Sequence, residues 1–234
     1  MFKNLSVIIP VFNEVNTIKE IIMRVEAVEL NGDIEKEIII IDDGSTDGTT
    51  EILDAFKKSY KIIFLKKNKG KGAAVKKGFE ASRGDIVLIQ DADFEYDPAD
   101  YSSLLKPILQ EKADVVYGSR LMTTRPHRVL FYWHYVANMF LTTLSNMLTN
   151  LNLTDMETGY KVFTRRVIDK ITPQLKSKRF GIEPELTALV ARHRFKVYEV
   201  GISYYGRSYK EGKKIGWRDG LAAVWYILKY NLFH

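Results

Sequence analysis

Asp91 and Asp93 stand two residues apart at the end of an apolar run, in the stretch VLIQDADFEYDP over residues 87–98. On an extended chain, residues two apart leave the same face, so two carboxylates there would converge. Such a pair repels itself unless water or a cation lies between. A hard divalent ion is the natural occupant, and Mg²⁺ takes one or two carboxylates together with substrate phosphates. Glu95, two further along, could assist. The simpler alternative is that these acids solvate a loop and start the next helix. Asp97 before Pro98 already forms a good helix start, which leaves Asp91 and Asp93 with less to do.

Other clusters carry weaker signals. IIIIDDGSTDGT, from residue 38, is an apolar strand breaking into a polar turn, where Asp42 or Asp43 could accept hydrogen bonds from a base or ribose. A well-made strand-to-helix turn accounts for Gly44 and Gly48 but leaves two successive acids unexplained. NKGKGAAVKKG matches neither GxxxxGK[ST] nor GxGxxG. It reads as the start of a basic helix whose Lys69 and Lys71 could attract phosphates. GRSYKEGKKIGW gathers Arg207, Lys210, Lys213 and Lys214 around glycines, as a closing diphosphate loop would and as a solvated basic loop also would. TDMETGYK holds Asp155, Glu157 and Lys161. The histidines have no metal-ligand spacing, no serine sits in a GxSxG elbow, and the absence of cysteine removes disulfides, thiolate sites and cysteine nucleophiles.

The elements that would position these residues follow from periodicity. LSVIIPVF, EIIIID, KIIFL, DIVLIQ and DVVYG are short apolar runs, as expected of strands covered on both faces. Between them, Ile18, Ile21, Ile22, Val25 and Val28, then Ile52, Leu53 and Phe56, then Tyr101, Leu104, Leu105 and Ile108 recur at helical spacing. The βαβαβ order implies right-handed crossovers and a doubly wound, mostly parallel sheet, with ligands beyond the carboxyl ends of the strands. The second half holds a long aromatic-rich helical stretch, a strand FKVYEVGISYYG and a last helix DGLAAVWYILKY. The 234 residues suit one large domain or two small ones, and 46% hydrophobic with 27% charged residues is a globular composition. The net charge of +6 points to an anionic partner: phosphate, nucleic acid or a membrane surface. The N-terminus lacks the pattern of a signal peptide, and no apolar run is long enough to span a bilayer.

Taken in order along the chain, these motifs resemble the inverting glycosyltransferases of family 2, in the polyprenyl-phosphate branch that includes dolichyl-phosphate mannose synthases and glucosyltransferases. The resemblance implies a single Rossmann-like GT-A domain over 1–234, with a nucleotide-sugar half (1–120) and an acceptor and membrane-facing half (121–234) that extends the core with helices and strands. VIIPVFNE places Pro10, Phe12 and Glu14 at the nucleotide base, and DDGSTDGT places Asp43, with Asp42, near base or ribose. DADFE resembles the DxD motif. It implies Asp91, Asp93 and Glu95 as ligands of Mg²⁺ or Mn²⁺, with Ala92 against the substrate. Lys69 falls beside the donor, and Arg120 of GSR near the donor and acceptor phosphates. TDMETGYKVF puts Asp155 at the reacting centre with Glu157 beside it. Arg207, Lys213 and Lys214 would hold the leaving diphosphate. Glutamine often stands where Glu95 does in the mannose synthases.

The implied reaction is metal-dependent transfer of a hexose, with inversion, from a UDP- or GDP-sugar to a dolichyl or undecaprenyl phosphate. A saccharide acceptor is the alternative, and a sugar nucleotidyltransferase a more distant one, since its glycine-rich loop after the first strand is missing. A haloacid-dehalogenase-type phosphatase would carry its acid pair near the N-terminus. A basic membrane or nucleic-acid binder would leave the ordered acids without a purpose. The expected partners are a nucleotide sugar, a polyprenyl phosphate and a membrane surface, without nucleic acid. The expected location is peripheral, on the cytoplasmic face. Residues 125–151, with Phe131, Tyr132, Trp133, Tyr135 and Phe140 and the basic Arg125 and Arg128, would lie against the bilayer and receive the lipid. Some relatives continue into transmembrane helices, so the chain is either a free-standing form or a piece of a longer protein.

Overall fold

The structure is a computed structural model. It describes residues 2–30, 34–122, 128–129, 131–206 and 217–233, the side chains of 217–219 excepted. In chain order its elements are β1 (Asn4–Val11), α1 (Ile18–Ala27), β2 (Glu35–Asp42), α2 (Thr49–Asp54), β3 (Lys61–Phe64), α3 (Lys71–Ala81), β4 (Ile86–Ile89), α4 (Tyr101–Leu109), β5 (Val115–Ser119), α5 (Tyr132–Thr149), β6 (Lys161–Thr164), α6 (Arg165–Ile171), α7 (Ile182–Arg192), β7 (Val197–Gly201) and α8 (Trp217–Leu232). Short 3₁₀ turns at Pro98–Asp100 and Thr172–Gln174 lead into α4 and out of α6.

The strands form one seven-stranded sheet in the order β3-β2-β1-β4-β6-β5-β7. β1 pairs in parallel with β2 and β4, β2 with β3, and β5 with β7. Only β6 runs against its neighbours, β4 and β5. The central strands β1, β4, β5 and β6 are buried on both sides, which is why β1, β4 and β5 read as continuous apolar runs. Leu5, Val7 and Ile9 of β1 face a core shared with α1, α2 and α4. Ile8 of the same strand faces a second core built with α3, α5, α6, α7 and α8.

This division locates the site. α1 and α2 lie on one face while the chain winds from β1 out to β3, and α3 then crosses to the other face and returns it to β4 on the far flank of β1. The strand order therefore reverses between β1 and β4, and a crevice opens beyond their carboxyl ends at such a reversal.

The sequence reading missed β6. It is only four residues long, and its first is Lys161, which is 1% exposed. A buried lysine breaks the apolar run by which a strand is recognised. The expected strand FKVYEVGISYYG shortens to β7, after which Tyr204 makes an isolated bridge with Tyr96. The expected start of α4 is present: Asp97 Oδ1 accepts from the Ala99 amide at 3.0 Å, with Pro98 next. The long helical stretch is α5, of which only Leu141, Thr142 and Ser145 are buried.

Gly78 of α3 shows how close the helix lies to the sheet. A Cβ there would collide with Ile8 and stand 3.0 Å from Ile41 Cδ1. In an open helix, alanine for glycine would stabilise by about 1 kcal/mol. Here we expect Gly78→Ala to destabilise by about 1–3 kcal/mol through overpacking, measured as a lower denaturant midpoint at unchanged slope.

Candidate active site

The loops beyond β1 and β2 are sewn together by short polar side chains. Asn13, at φ +54°, donates its amide to Ser45 Oγ at 2.9 Å and accepts from the Thr46 amide at 2.8 Å. The Glu14 amide donates to Thr49 Oγ1 at 2.9 Å. Thr17 Oγ1 lies 3.0 Å from Glu14 Oε2 and 2.8 Å from the Ala92 carbonyl, which ties the β1 loop to the acid turn after β4. Pro10 is the penultimate residue of β1, opposite Ile41, and Phe12 follows that strand, half-buried. Thr17 thus brings Glu14 and Ala92 together beyond the ends of β1 and β4.

Asp42 and Asp43 both have structural duties, which corrects the view that a turn leaves them unexplained. Asp42 accepts from the Ser45 amide at 3.0 Å and from Thr50 Oγ1 at 2.7 Å. Asp43 accepts from the amides of Lys69 and Gly70 at 2.8 and 2.6 Å and so fixes the entry to α3. Burial pushes the Asp43 carboxyl above its ordinary value, although those two amides pull the other way. Gly70, at φ +94°, lies so close to Lys178 and Arg179 that no side chain would fit.

The acid turn departs from the extended geometry expected of it. β4 ends at Ile89, and the chain turns through Asp91–Glu95. Asp91 Oδ1 pairs with Lys71 Nζ at 2.8 Å, and its other oxygen packs against Gly159, where a side chain would collide with it. Asp93 Oδ1 accepts from the Glu95 amide at 3.1 Å, and Glu95 Oε2 accepts from Tyr204 Oη at 2.9 Å. The three acids therefore do not gather as three ligands, and no group of three or more His, Asp or Glu able to hold a metal forms among the described residues. Carboxylate oxygens such as those of Asp91 and Asp93 are the hard donors that Mg²⁺ and Mn²⁺ take together with phosphate. Lys71 reaches carboxylates rather than an open phosphate site: its second partner is Glu183 Oε1 at 3.0 Å. Lys69 is exposed at the rim.

At the end of β5, Arg120 and Asp155 form a forked pair. Nε donates to Oδ2 at 2.6 Å and Nη2 to Oδ1 at 2.7 Å. The Arg120 amide and Asn138 Nδ2 each add a bond at 3.1 Å. Asp155 is fully buried. Burial alone would raise its pKa, but the guanidinium overrides this and holds the carboxyl below the usual range. Glu199 on β7 accepts from the amides of Thr154 and Asp155 at 2.9 and 3.3 Å. Burial pushes the nearby Glu157 carboxyl up to about 7, with the Glu183 charge adding to the effect. Burial lowers Lys161 to about 8; its Nζ donates to the carbonyls of Met156, at 3.1 Å, and Thr158.

Arg128 is exposed and donates to the Gly206 carbonyl at 2.8 Å. Arg207, Lys213, Lys214, Lys210 and Arg125 lie outside the described residues. The sequence reading missed Asn138, Glu183 and Glu199. Asn138 stands alone in an aromatic-rich helical stretch, and Glu183 falls with Glu185 in the first turn of α7, where acids are common for reasons of dipole alone.

The family described as Glycosyl transferase family 2 matches residues 6–172. A UDP-N-acetylglucosamine–dolichyl-phosphate N-acetylglucosaminyltransferase of Methanococcus voltae is 27% identical over 86% of this chain and 85% of its own length. The dolichyl-phosphate β-glucosyltransferase of Saccharomyces cerevisiae is 30% identical over 86% of this chain and 66% of its own. Glucosyl-3-phosphoglycerate synthase from Mycobacterium tuberculosis, solved with Mn²⁺, UDP and glucosyl-3-phosphoglycerate, superposes on 98% of this chain and 80% of its own with a TM-score of 0.73 at 19% identity. The same enzyme has also been solved with Mg²⁺ and UDP. The fold is that of the GT-A glycosyltransferases.

Glu157 generates a pH test. Between 4.5, the ordinary carboxyl value, and about 7, the native protein keeps a proton that the unfolded chain releases. This group's contribution to stability is therefore complete below 4.5 and lost as the pH rises through 7. Glu157→Gln should remove that decline, so the gap in melting temperature between variant and wild type should widen from pH 5 to pH 7. Parallel profiles would show that Glu157 is ionised throughout.

Proposed function

The chain belongs to glycosyl transferase family 2, and on that premise we propose that it moves a hexose, with inversion, from a UDP- or GDP-sugar to a polyprenyl phosphate. One observation carries this reading. Asn138, which binds Asp155 at the candidate centre, sits on α5, and α5 presents apolar side chains to solvent. Trp133 is 75% and Phe140 58% exposed, and on α8 so is 58% of Trp225. A soluble protein gains nothing from such a face, whereas an enzyme whose acceptor is a lipid phosphate needs one beside its centre. No described helix is long and apolar enough to cross a membrane, so this face suits the interfacial plane. The dolichyl-phosphate acceptors in the names of relatives support the same reading. Its place would be peripheral, on the cytoplasmic side, in keeping with a chain without cysteine.

In this reading Pro10, Phe12, Glu14 and Ala92 border the base, with Asp42 and Asp43 holding the loops around the ribose. A Mg²⁺ or Mn²⁺ at Asp91 and Asp93 would supply neutralisation of the charge that develops on the leaving diphosphate. Arg120 offers the acceptor phosphate the edge of its guanidinium that Asp155 does not use. The acceptor oxygen attacks the anomeric carbon from the side opposite the diphosphate, so one carbon–oxygen bond forms as the other breaks and the configuration inverts. No strong base is required, because a phosphate monoester's second pKa is about 6. Asp155, saturated by four donors and held ionised, orients Arg120 instead of taking a proton. Arg207, Lys213 and Lys214 are proposed from the sequence alone to hold the leaving diphosphate.

Two experiments test this. Wild type, supplied with a panel of UDP- and GDP-sugars, Mg²⁺ or Mn²⁺, and either a polyprenyl phosphate, a saccharide or phosphoglycerate, should yield a glycosylated lipid phosphate by mass spectrometry. Asp93→Asn should lower that rate by about a hundredfold or more without shifting the melting temperature of the metal-free protein. Wild-type turnover by the variant removes Asp93 from the machinery. In the second, the protein should co-sediment with anionic liposomes, and Phe131→Asp with Trp133→Asp should weaken this while leaving nucleotide binding intact. Unchanged sedimentation of the folded double variant would dismiss α5 as the contact.

A further inference from the structure

Gln90 is the first residue past β4, and none of its surface is exposed. Its amide continues the strand pairing, donating to the Ile8 carbonyl at 2.9 Å. Its side chain enters a core of aliphatic and tyrosine side chains, where a leucine would be buried more cheaply. A buried primary amide is costly unless it is hydrogen-bonded, and this one is engaged from three directions. Nε2 donates to the Asp91 carbonyl at 3.0 Å. Oε1 accepts from Tyr101 Oη at 2.8 Å and from Tyr160 Oη at 2.7 Å. A carbonyl can only accept, so the bond to Asp91 fixes which way the amide faces and makes both phenols donors. Burial keeps the two phenols protonated for that role.

The three partners belong to three pieces of chain. Tyr101 opens α4, Tyr160 directly precedes β6, and Asp91 begins the acid turn. Tyr160 also follows Gly159, which lies against Asp91 Oδ2 and whose amide donates to Tyr96 Oη at 2.8 Å. The Tyr96 and Tyr160 rings are 4.8 Å apart. The peptide that carries the Asp91 side chain is therefore clamped by a buried amide whose other end is held by two tyrosines from outside the turn. We propose that Gln90 is a positioning residue for Asp91: it fixes the Asp91 peptide, and through it the direction in which that carboxylate faces the diphosphate of the donor. The proposal rests on the nucleotide-sugar reading above and adds to it a residue that reaches neither substrate.

The rival account is that Gln90 serves stability alone, as any closed buried network does. Two variants separate the accounts. Gln90→Met fills a similar volume with no group to hold the Asp91 carbonyl. Tyr101→Phe removes a hydrogen bond from the same amide and leaves its bond to Asp91 in place. The measurement is Mn²⁺ affinity in the presence of UDP or GDP, by calorimetry well below the melting temperature of every protein, beside melting curves. Both variants should melt below wild type, but Gln90→Met should bind Mn²⁺ about tenfold or more weakly, as when the support of a ligand is lost, and Tyr101→Phe within about twofold of wild type. Wild-type affinity in Gln90→Met overturns the proposal. So do losses of affinity that follow the fall in melting temperature equally in both variants. If Gln90→Met does not fold, Gln90→Asn, which keeps the amide but is one methylene too short, decides by the same criterion. A wild type that binds Mn²⁺ with neither nucleotide overturns the donor reading and this proposal with it. A selective loss in Gln90→Met without any lipid product in the transfer assay counts against the acceptor reading alone.

Discussion

Asp155 has no contact with solvent, and a carboxylate in that position must be neutralised or the fold around it fails. The side chains beyond the ends of β5 and β7 are arranged to meet this requirement. Arg120 leaves the end of β5 and grips Asp155 with two parallel bonds, while its own amide adds a third. Asn138 brings α5 to the same carboxylate. Glu199 on β7 collects the amides of Thr154 and Asp155 and so holds the loop that carries the acid. The Tyr204 ring lies 5.2 Å from the guanidinium carbon, and its hydroxyl reaches back to Glu95 in the acid turn. Five pieces of chain, distant in sequence, are thus located by one ion pair. Such a pair adds little net stability; what it confers is position.

The same economy governs the other half of the crevice. Lys71 stands between Asp91 and Glu183, and Lys161 lies under the Glu157 segment with its ammonium on backbone carbonyls. Cations placed beneath acids keep this floor polar and nearly balanced. Gly159 serves this packing directly, since any side chain there would displace the Asp91 carboxylate.

How much of this could be read from the sequence depended on whether a residue acts locally. Strands β1, β2, β4 and β5 announced themselves because most of their residues are buried on both faces, and β3, half-buried, by its short apolar run. The cap at Asp97 was visible because capping involves neighbours only. The turn after β2 was recognised as a turn, but the partners of Asp42 and Asp43 were not: Asp43 serves Lys69 and Gly70, more than twenty residues on, and no local pattern encodes that. β6 was hidden by its buried lysine. Asn138, Glu183 and Glu199 were invisible for the same reason, being single polar residues whose meaning comes from elements that pack beside them only in three dimensions. The two-residue spacing of Asp91 and Asp93 was noticed on the assumption of an extended strand, whereas the structure makes it a turn whose two acids face different partners.

The link through Asn138 has a consequence for the proposed lipid acceptor. An α-helix rises 1.5 Å per residue, so the exposed ring of Trp133 starts about 7.5 Å along α5 from the residue that binds Asp155. A bilayer touching that aromatic end would hold its headgroup layer within about one side chain's reach of Arg120. The acceptor could then offer its phosphate to the guanidinium while its hydrocarbon chain stays in the membrane, and the enzyme would not have to extract an apolar chain into water at about 0.8 kcal/mol per methylene. The donor, a water-soluble anion, would enter from the opposite side, across the β1–β4 crevice. On this reading the seven-stranded sheet separates a wet entrance from an oily one, and the Arg120–Asp155 pair marks where the two substrates meet.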